Sequence, residues 1–559
     1  MPSPYDALAQ SPPAVCPITG QSVVTPLHPL VWARVLHQTG YPWTEEIERI
    51  VTGLVQGVDI GYMGDRDRSR DTPNLPTADE AAVQKDIDTE MELGRKAGPY
   101  DTPPYPNLIC SPIGTVSKRG SSKLRVIHHL SYPRTDTTSS INSCIDPALV
   151  HVQLGSFDTA IEYVSQAGPG AYLAKIDIKA AYRCIPIRPA DWCLLGFRWK
   201  GKWYFDKNLP FGLSSSCLIW ERYARAVHWI MYYTYGISLA IHYIDDTLIV
   251  ATSRPLCAMQ LKAVLLLLEQ LGLPVAPEKV EGPSTRLIFL GIQIDTVAMC
   301  VSLDSARLAE IHDSLGIWER KQRASKVEIQ SLVGVLQFAA KVIRPGRMFT
   351  RRLIEHMSTI PEHAADREYP LPAWVKKDLV WWHKWMDQWN GRRQIHPPGW
   401  TRNADLHLYT DASKTGYGAV YGSQWFAGTW SEEECRLTQG KKRDNMPGKE
   451  LLCLVKAAAT WGAEWSRKNL MIELHSDCLP VVMAAKTDTS RSQLLMSLLR
   501  TLTYLAATHE FDYRLLHVSG VDNDVADGLS RGQISEVLQR YPALNRSGTT
   551  PVPLPIHDW

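Results

Sequence analysis

The chain has 559 residues, 45% of them apolar and 21% charged, with a formal net charge of +2 at neutral pH. That balance is that of a globular protein with a large core and about three to five domains or subdomains, and it excludes a polycation, so nucleic-acid affinity must come from local patches. The eleven cysteines include no C-x-x-C pair, which argues against a zinc ribbon or a disulfide framework and for reduced thiols.

In chain order, residues 1–27 are Pro-rich, are expected to be flexible, and have neither the basic nor the apolar region of a secretory signal. Residues 28–100 read as an N-terminal extension of helix and loop, with a charged helix in "EAAVQKDIDTEMELGRKAG" that stops at a glycine. Within 101–302, two strands flank the basic tip "SKRGSSK", and "AYLAKIDIKAAYRCIPI" runs from a strand into a helical turn. There follow a helix in "ERYARAVHWIMYYTYG", a hairpin in "IHYIDDTLIV", a helix over 255–272 and a strand in "RLIFLGIQID". This order implies an α+β sheet covered on one face.

Residues 303–360 are helical and basic: nine Lys or Arg lie between Glu319 and Arg352 against two Glu, a local excess of +7. Either a solvated helix face or a phosphate-binding surface accounts for such a run, and the second is favoured. In 361–404, Trp374, Trp381, Trp382, Trp385 and Trp389 have the spacing of a packing face on one helix. A second α/β unit over 405–532 opens with three strands, "DLHLYTDAS", "YGAVYG" and "QWFAGTW", and 533–559 reads as a flexible tail. The longest aliphatic run, Ala263 to Leu268, is far short of the roughly 20 residues that span a bilayer, so no membrane role is expected.

Asp245 and Asp246 adjoin between two apolar runs, where each charge loses hydration and repels the other. A solvent-exposed turn is one resolution. A divalent cation shared with Asp177, at the end of the strand in "AKIDIKAAY", is the other, because hard cations such as Mg²⁺ prefer carboxylate oxygens. Two such ions suit phosphoryl transfer.

The ordered motifs "DIKAAY", "LPFGL", "YIDD" and "LIFLG" decide between these, since together they resemble those of reverse transcriptases over roughly residues 100–360. The resemblance implies a right-hand polymerase of fingers, palm (101–302) and thumb (303–360). It makes Asp177, Asp245 and Asp246 the metal-binding acids, with the carbonyl of Ile178 as a further ligand. It implies that Tyr182 is a steric gate against ribose and that Phe211 and Gly212 lie beneath the incoming base. Lys118 and Arg125 would grip the triphosphate, as ammonium and guanidinium groups do. Lys279 would protonate the leaving pyrophosphate, Phe289, Leu290 and Gly291 would form the primer grip, and Arg344, Arg347, Arg351 and Arg352 would hold the template–primer.

Asp411 ends a strand, Glu450 opens the helix "GKELLCLVKAAATW", Asp477 ends "LMIELHSD", and Asp527 lies in "NDVADGLSR". Strand-end acids converging with a helix acid again suit a two-metal hydrolytic site. In this order they resemble a retroelement ribonuclease H domain, linked to the thumb by a connection over 361–404. His517 is similar to the product-release histidine of such enzymes, and Asn523 would hold its loop.

These resemblances imply an RNA-directed DNA polymerase with RNase H activity that uses two Mg²⁺ per site, with Mn²⁺ as an alternative. Its partners would be an RNA template, a DNA primer, the RNA–DNA hybrid and deoxynucleoside triphosphates, in the cytoplasm or nucleus. "HPLVWARVL", "GLVQGVDIGYMG" and "VIRPGRMFTRRL" resemble DIRS-like, tyrosine-recombinase retroelements. No histidine is followed by Arg three positions later, so either a recombinase is encoded elsewhere in the element, in another reading frame, or the chain is a processed piece or a relic. The alternative reading is a non-catalytic, nucleic-acid-binding relic of such a polymerase.

Overall fold

The computed structural model describes residues 2–74, 79–117, 124–133, 140–389, 391–396, 407–439, 445–467 and 471–553. The chain divides into two compact units, Met1–Leu290 and Gly291–Trp559, each mixing helix and sheet.

The first unit carries a hairpin of β1 (Ile113–Ser117) and β2 (Leu124–His128). Its central antiparallel sheet is built from β3 (Tyr172–Asp177), β4 (Ala240–Tyr243), β5 (Asp246–Ala251) and β6 (Glu281–Ser284), in the order β4-β5-β3-β6. Alternation along β3 and β5 separates two faces. Ala174, Ile176, Ile249 and Ala251 enter the main core, while Lys175 and Asp177 lie on the opposite face of β3. Helices α1 (Phe157–Ala167), α2 (Ser216–Tyr235) and α3 (Arg254–Leu271) pack on the sheet. The start of α3 is capped by Ser253, which accepts from Leu256 N–H, and its end by left-handed Gly272.

Two boundaries read from the sequence shift. Residues 1–27 are not a loose arm: Ala9, Cys16, Val23 and Leu27 are buried in the same core, and Thr25 Oγ1 donates to Cys184 O at 2.7 Å. The stretch 28–100 is not a separate extension either, because Trp32, Leu36, Ile50 and Leu54 join that core. Proline content reports local stiffness, whereas a few well-spaced apolar side chains were enough to seat the segment.

Behind the β1–β2 hairpin lies a buried ion cluster. Arg183 donates to Glu90 at 2.7 Å and contacts Asp206 at 2.8 Å, and His128 Nδ1 is 3.1 Å from Asp206. Burial raises the Asp206 carboxyl, but Arg183, Lys96 and His128 outweigh it and hold the group well below the usual carboxylate range.

In the second unit, α4 (Ser305–Arg320), α5 (Lys326–Ala339) and α6 (Ala373–Gln388) precede a five-stranded sheet. Its strands are β7 (Leu408–Ala412), β8 (Gly416–Tyr421), β9 (Gln424–Thr429), β10 (Met471–Ser476) and β11 (Asp512–His517), ordered β9-β8-β7-β10-β11. The β7–β10 and β10–β11 pairs are parallel. Helices α7 (Met446–Arg467), α8 (Gln493–Thr508) and α9 (Asp524–Ser530) complete the unit. Three of the five tryptophans pack as their spacing implies: Trp381 stacks on Phe349 at 3.7 Å, Trp385 meets Tyr504 of α8 edge-on, and Trp382 is fully buried. Trp374 is exposed, and Trp389 lies just past the end of α6. Trp382 lies where a Cβ on Gly346 would come within 2.3 Å, so that position needs glycine.

The expected flexible tail is corrected over residues 533–553, and 554–559 lie outside the described residues. Ile534–Arg540 is helical, Val537 is buried against Leu529, and Asn545 N–H and Thr549 N–H donate to Ser423 O and Trp425 O. All eleven cysteines are free. Among the described residues no helix is long and apolar enough to cross a membrane.

Removing one member of a buried ion cluster strands the others, so Asp206→Asn is expected to cost about 3–5 kcal/mol at neutral pH. The folded carboxyl titrates below its ordinary value of 3.8, so this contribution is fully present above that value and is lost progressively as pH falls from there through the lower folded value. Urea melts of wild type and Asp206→Asn should therefore converge in acid. Equal midpoints at neutral pH would show that the cluster contributes nothing.

Candidate active sites

The first set of acids is assembled by strand register. Asp177 at the end of β3 stands directly opposite Asp246 at the start of β5. Between β4 and β5 the chain turns through Ile244, whose φ of +56° places a β-branched residue in the left-handed region. Two hydrogen bonds hold this turn: Trp220 Nε1 donates to Ile244 O at 2.8 Å, and Ile178 N–H donates to Asp245 O at 2.9 Å.

Burial, then Asp245 and Asp177, push the Asp246 carboxyl up to about 6. Burial chiefly, with Asp177, raises Asp245 as well. The cation within the set is Lys279, whose Nζ is 2.6 Å from Asp177 Oδ2. The oxygen-rich set with two carboxyls held above their usual range fits a divalent cation, which would supply the missing charge.

Around these acids, the Tyr182 ring lies 5.6 Å from that of Phe211, and the Arg125 guanidinium lies 4.6 Å over Phe211. Burial, a hydrogen bond with Cys217 and the charge of Asp245 raise the Tyr182 phenol, which keeps it neutral. Gly212 has φ +114°, and a Cβ there would come 1.9 Å from His128 O, so only glycine lets this loop pass the end of β2. His128 N–H donates to Phe211 O at 2.9 Å, so one residue ties the loop to the buried ion cluster. Lys118 lies outside the described residues.

Other expected contacts are corrected. Phe289 is fully buried, so its ring cannot meet a primer, and Leu290 and Gly291 form a left-handed turn with φ of +49° and +78°. Arg352 is largely buried and donates through its backbone N–H and Nη1 to the buried Asp378, at 3.2 and 2.9 Å. It is a structural ion and not a phosphate contact. Arg351 pairs with Glu355 at 3.1 Å, Arg344 pairs with Asp512, and Arg347 faces Asp488. Arg344, Arg347 and Arg351 are exposed. The Arg351–Glu355 pair, exposed on both sides, is weak enough to yield to phosphate, whereas the partner of Arg344, Asp512, is buried.

The second set uses a strand, a helix and a parallel neighbour. Carboxylate oxygens of Asp411 on β7, Glu450 on α7 and Asp477 after β10 lie within 4.8 Å of one another. Asp527 on α9 adds its field to Asp411 and Glu450. Burial, then Asp411 and Asp477, push Glu450 up to about 9, and its Oε2 is buried with no hydrogen-bond partner. Burial, with Asp477 and Asp527, pushes Asp411 up to about 6 even though the Ser530 hydroxyl donates to it at 2.6 Å. An orphaned carboxylate oxygen among three acids again fits a divalent cation.

Two features seat α9. A Cβ on Gly418 would lie 2.6 Å from Ala526 O, so the glycines of β8 let the helix approach, and the buried Asn523 donates to Thr410 O at 3.0 Å. His517 is exposed at the end of β11, opposite Ser476, and leads into a loop whose Gly520 lies beside the Asp477 carboxylate. Sequence reasoning did not single out Ser530 or Cys217. Ser530 stands within "ADGLSR", but Cys217 had no signal, since only folding brings α2 to Tyr182.

Residues 116–294 match the family model described as "Reverse transcriptase (RNA-dependent DNA polymerase)". Over 402 residues, 69% of this chain, the sequence is 22% identical to a putative enzymatic polyprotein of Cassava vein mosaic virus, of which 56% is covered. Over 375 residues, 64% of this chain, it is 21% identical to the Transposon Tf2-3 polyprotein of Schizosaccharomyces pombe, of which 25% is covered. The chain thus spans about half of one curated relative and a quarter of the other. A foamy viral protease-reverse transcriptase bound to double-stranded DNA is similar at 15% identity and a TM-score of 0.47, with 87% of this chain and 81% of that one covered.

The orphaned Glu450 generates a stability test. In the folded chain its carboxyl keeps its proton to about pH 9, against an ordinary value of 4.5, so between these values stability falls as pH rises. Glu450→Gln should therefore melt higher than wild type in EDTA at pH 8–9, by about 1 kcal/mol or more. Added Mg²⁺ should stabilise wild type more than the variant. Thermal melts with and without Mg²⁺ check both signs, and a variant no more stable at high pH would contradict the crowding of these acids.

Proposed function

We propose that this chain is an RNA-directed DNA polymerase that also cleaves the RNA strand of the hybrid it makes. The convergence of Asp177, Asp245 and Asp246 inside the segment that matches the reverse transcriptase family carries the reading. The second set of acids supports RNase H activity through the same chemistry on a separate unit.

In synthesis, the 3′-oxygen of a primer bonds to the α-phosphorus of a deoxynucleoside triphosphate while the bond from that phosphorus to the pyrophosphate oxygen breaks. Asp177, Asp245 and Asp246, with the carbonyl of Ile178, would hold two Mg²⁺ (or Mn²⁺), and Asp411, Glu450, Asp477 and Asp527 another two. Bound there, such ions activate the attacking oxygen and stabilise the leaving one. Arg125, with Lys118, provides donors for the triphosphate, and its guanidinium over Phe211 fixes the floor of the nucleotide pocket. Tyr182, neutral and backed by Phe211, presents a rigid ring where a 2′-hydroxyl would have to fit. Lys279, whose Nζ lies 2.6 Å from Asp177 Oδ2, would donate to the pyrophosphate oxygen.

In hydrolysis, the A-form minor groove shows the 2′-hydroxyls by which the RNA strand is told from DNA. Ser530 orients the Asp411 carboxylate, Asn523 secures the turn that carries Asp527, and His517 stands at the rim for product release. The DIRS-like leader and thumb stretches support a tyrosine-recombinase retroelement as the source, with the recombinase on another chain.

Primer extension on an RNA template, followed by analysis of the RNA fragments, tests both activities. Asp245→Asn should lower DNA synthesis by about 10²-fold or more and leave hybrid cleavage intact, and Asp477→Asn should do the reverse. Loss of both activities in each folded variant would sink the idea of two independent sites. Tyr182→Ala should raise ribonucleotide relative to deoxynucleotide incorporation, by about tenfold if one steric contact of 1–2 kcal/mol is removed. An unchanged ratio would make Tyr182 a packing residue only.

A further inference from the structure

A third cluster stands apart from both sets of acids. His407 immediately precedes β7, while Glu473 and His475 lie on one face of the neighbouring parallel strand β10. Their ligand atoms fall within 4.8 Å of one another. His407 Nε2 is 3.4 Å and His475 Nε2 is 3.7 Å from the same oxygen, Glu473 Oε2.

Those spacings are longer than good hydrogen bonds, and they are close to the roughly 3.3–3.5 Å edge of a tetrahedron whose metal–ligand bonds are about 2.0–2.1 Å. All three side chains are at least 87% shielded from solvent, and His475 Nε2 is buried with no hydrogen-bond partner. The orientation of the His475 ring is enforced, because it stacks on His407 at 5.1 Å and on Tyr409 at 4.5 Å. The other Glu473 oxygen, Oε1, is taken by Arg514 from β11. The carboxylate is therefore pinned, with Oε2 turned toward the two imidazoles.

We propose that His407, Glu473 and His475 form a binding site for a borderline transition-metal dication such as Zn²⁺, with the fourth position open to water. Two imidazoles and one carboxylate suit such ions, whereas Mg²⁺ prefers an all-oxygen set. The site is thus chemically distinct from the two acid sets, and it does not rest on the proposed activities. Bound metal would join β7, which carries Asp411, to β10, which leads to Asp477, and so brace the two strands whose separation sets the spacing of those acids. The Arg514 guanidinium, on the far oxygen of Glu473, opposes the incoming dication.

The full chain, stripped with EDTA and returned to excess Mg²⁺ to occupy the all-oxygen sites, is titrated with Co²⁺ as a spectroscopic stand-in for Zn²⁺. One equivalent should bind with the strong visible absorption of a four-coordinate site, and Zn²⁺ should displace it and raise the melting temperature. His475→Gln and His407→Gln should each weaken binding about tenfold or more, while Arg514→Met should tighten it. His383→Ala, which removes a ligand from the less buried His312–His383–Asp387 cluster, should change nothing. If His475→Gln fails to fold, His407→Gln, just before the strand, reads the same loss. Co²⁺ binding unchanged in the folded histidine variants, or lost in His383→Ala, would overturn the assignment, as would wild type that takes up no Co²⁺ under excess Mg²⁺.

Discussion

Crowded carboxylates are the constraint around which both units are organised. Like charges a few ångströms apart in a half-buried site repel each other and lose hydration, so a chain left to itself would splay them. Backbone register prevents this. Asp177 and Asp246 cannot separate without breaking the β3–β5 ladder, and Asp411 and Asp477 are fixed by adjacent parallel strands. The cost appears as carboxyls held above their usual range, most of all at Glu450, which lies on a helix whose neighbours are nearly all core residues. A site strained in this way has a standing affinity for hard cations.

The surroundings of each site show how that strain is borne. In the first unit, the Arg183–Asp206–Glu90–His128 cluster is tied to Tyr182 and Phe211, because Arg183 adjoins Tyr182 in sequence and His128 N–H donates to Phe211 O. Burying four ionisable groups favours stability only when each is paired, so this cluster fixes position more than it adds stability. In the second unit, close backbone approach does the equivalent work: Gly416 and Gly418 let α9 sit against β8, where any side chain would push Asp527 away. The arginines of the basic segment divide by burial. Arg352 neutralises Asp378 inside the unit, while its neighbour Arg351 faces outward.

The sequence by itself singled out the acids. "DIKAAY", "YIDD" and the four acids from Asp411 to Asp527 stand out by residue type and order, because a hard-cation site calls for carboxylate oxygens. Helices and strands around them were legible for the same local reason: periodicity, caps such as Ser253, and glycine stops such as Gly272 act over a few residues. What only the tertiary structure decided are the relations between distant segments. Neither Pro-rich composition nor the tail's short apolar residues announce that 1–27 and 534–552 pack against other elements, since a few side chains meeting a preformed groove leave no periodic signal. Likewise a run of positive charge looks uniform in sequence, and Arg352 becomes a buried counter-ion only because folding places Asp378, twenty-six positions later, beside it. Charge and hydrophobic pattern are properties of one segment, whereas pairing and burial are properties of two.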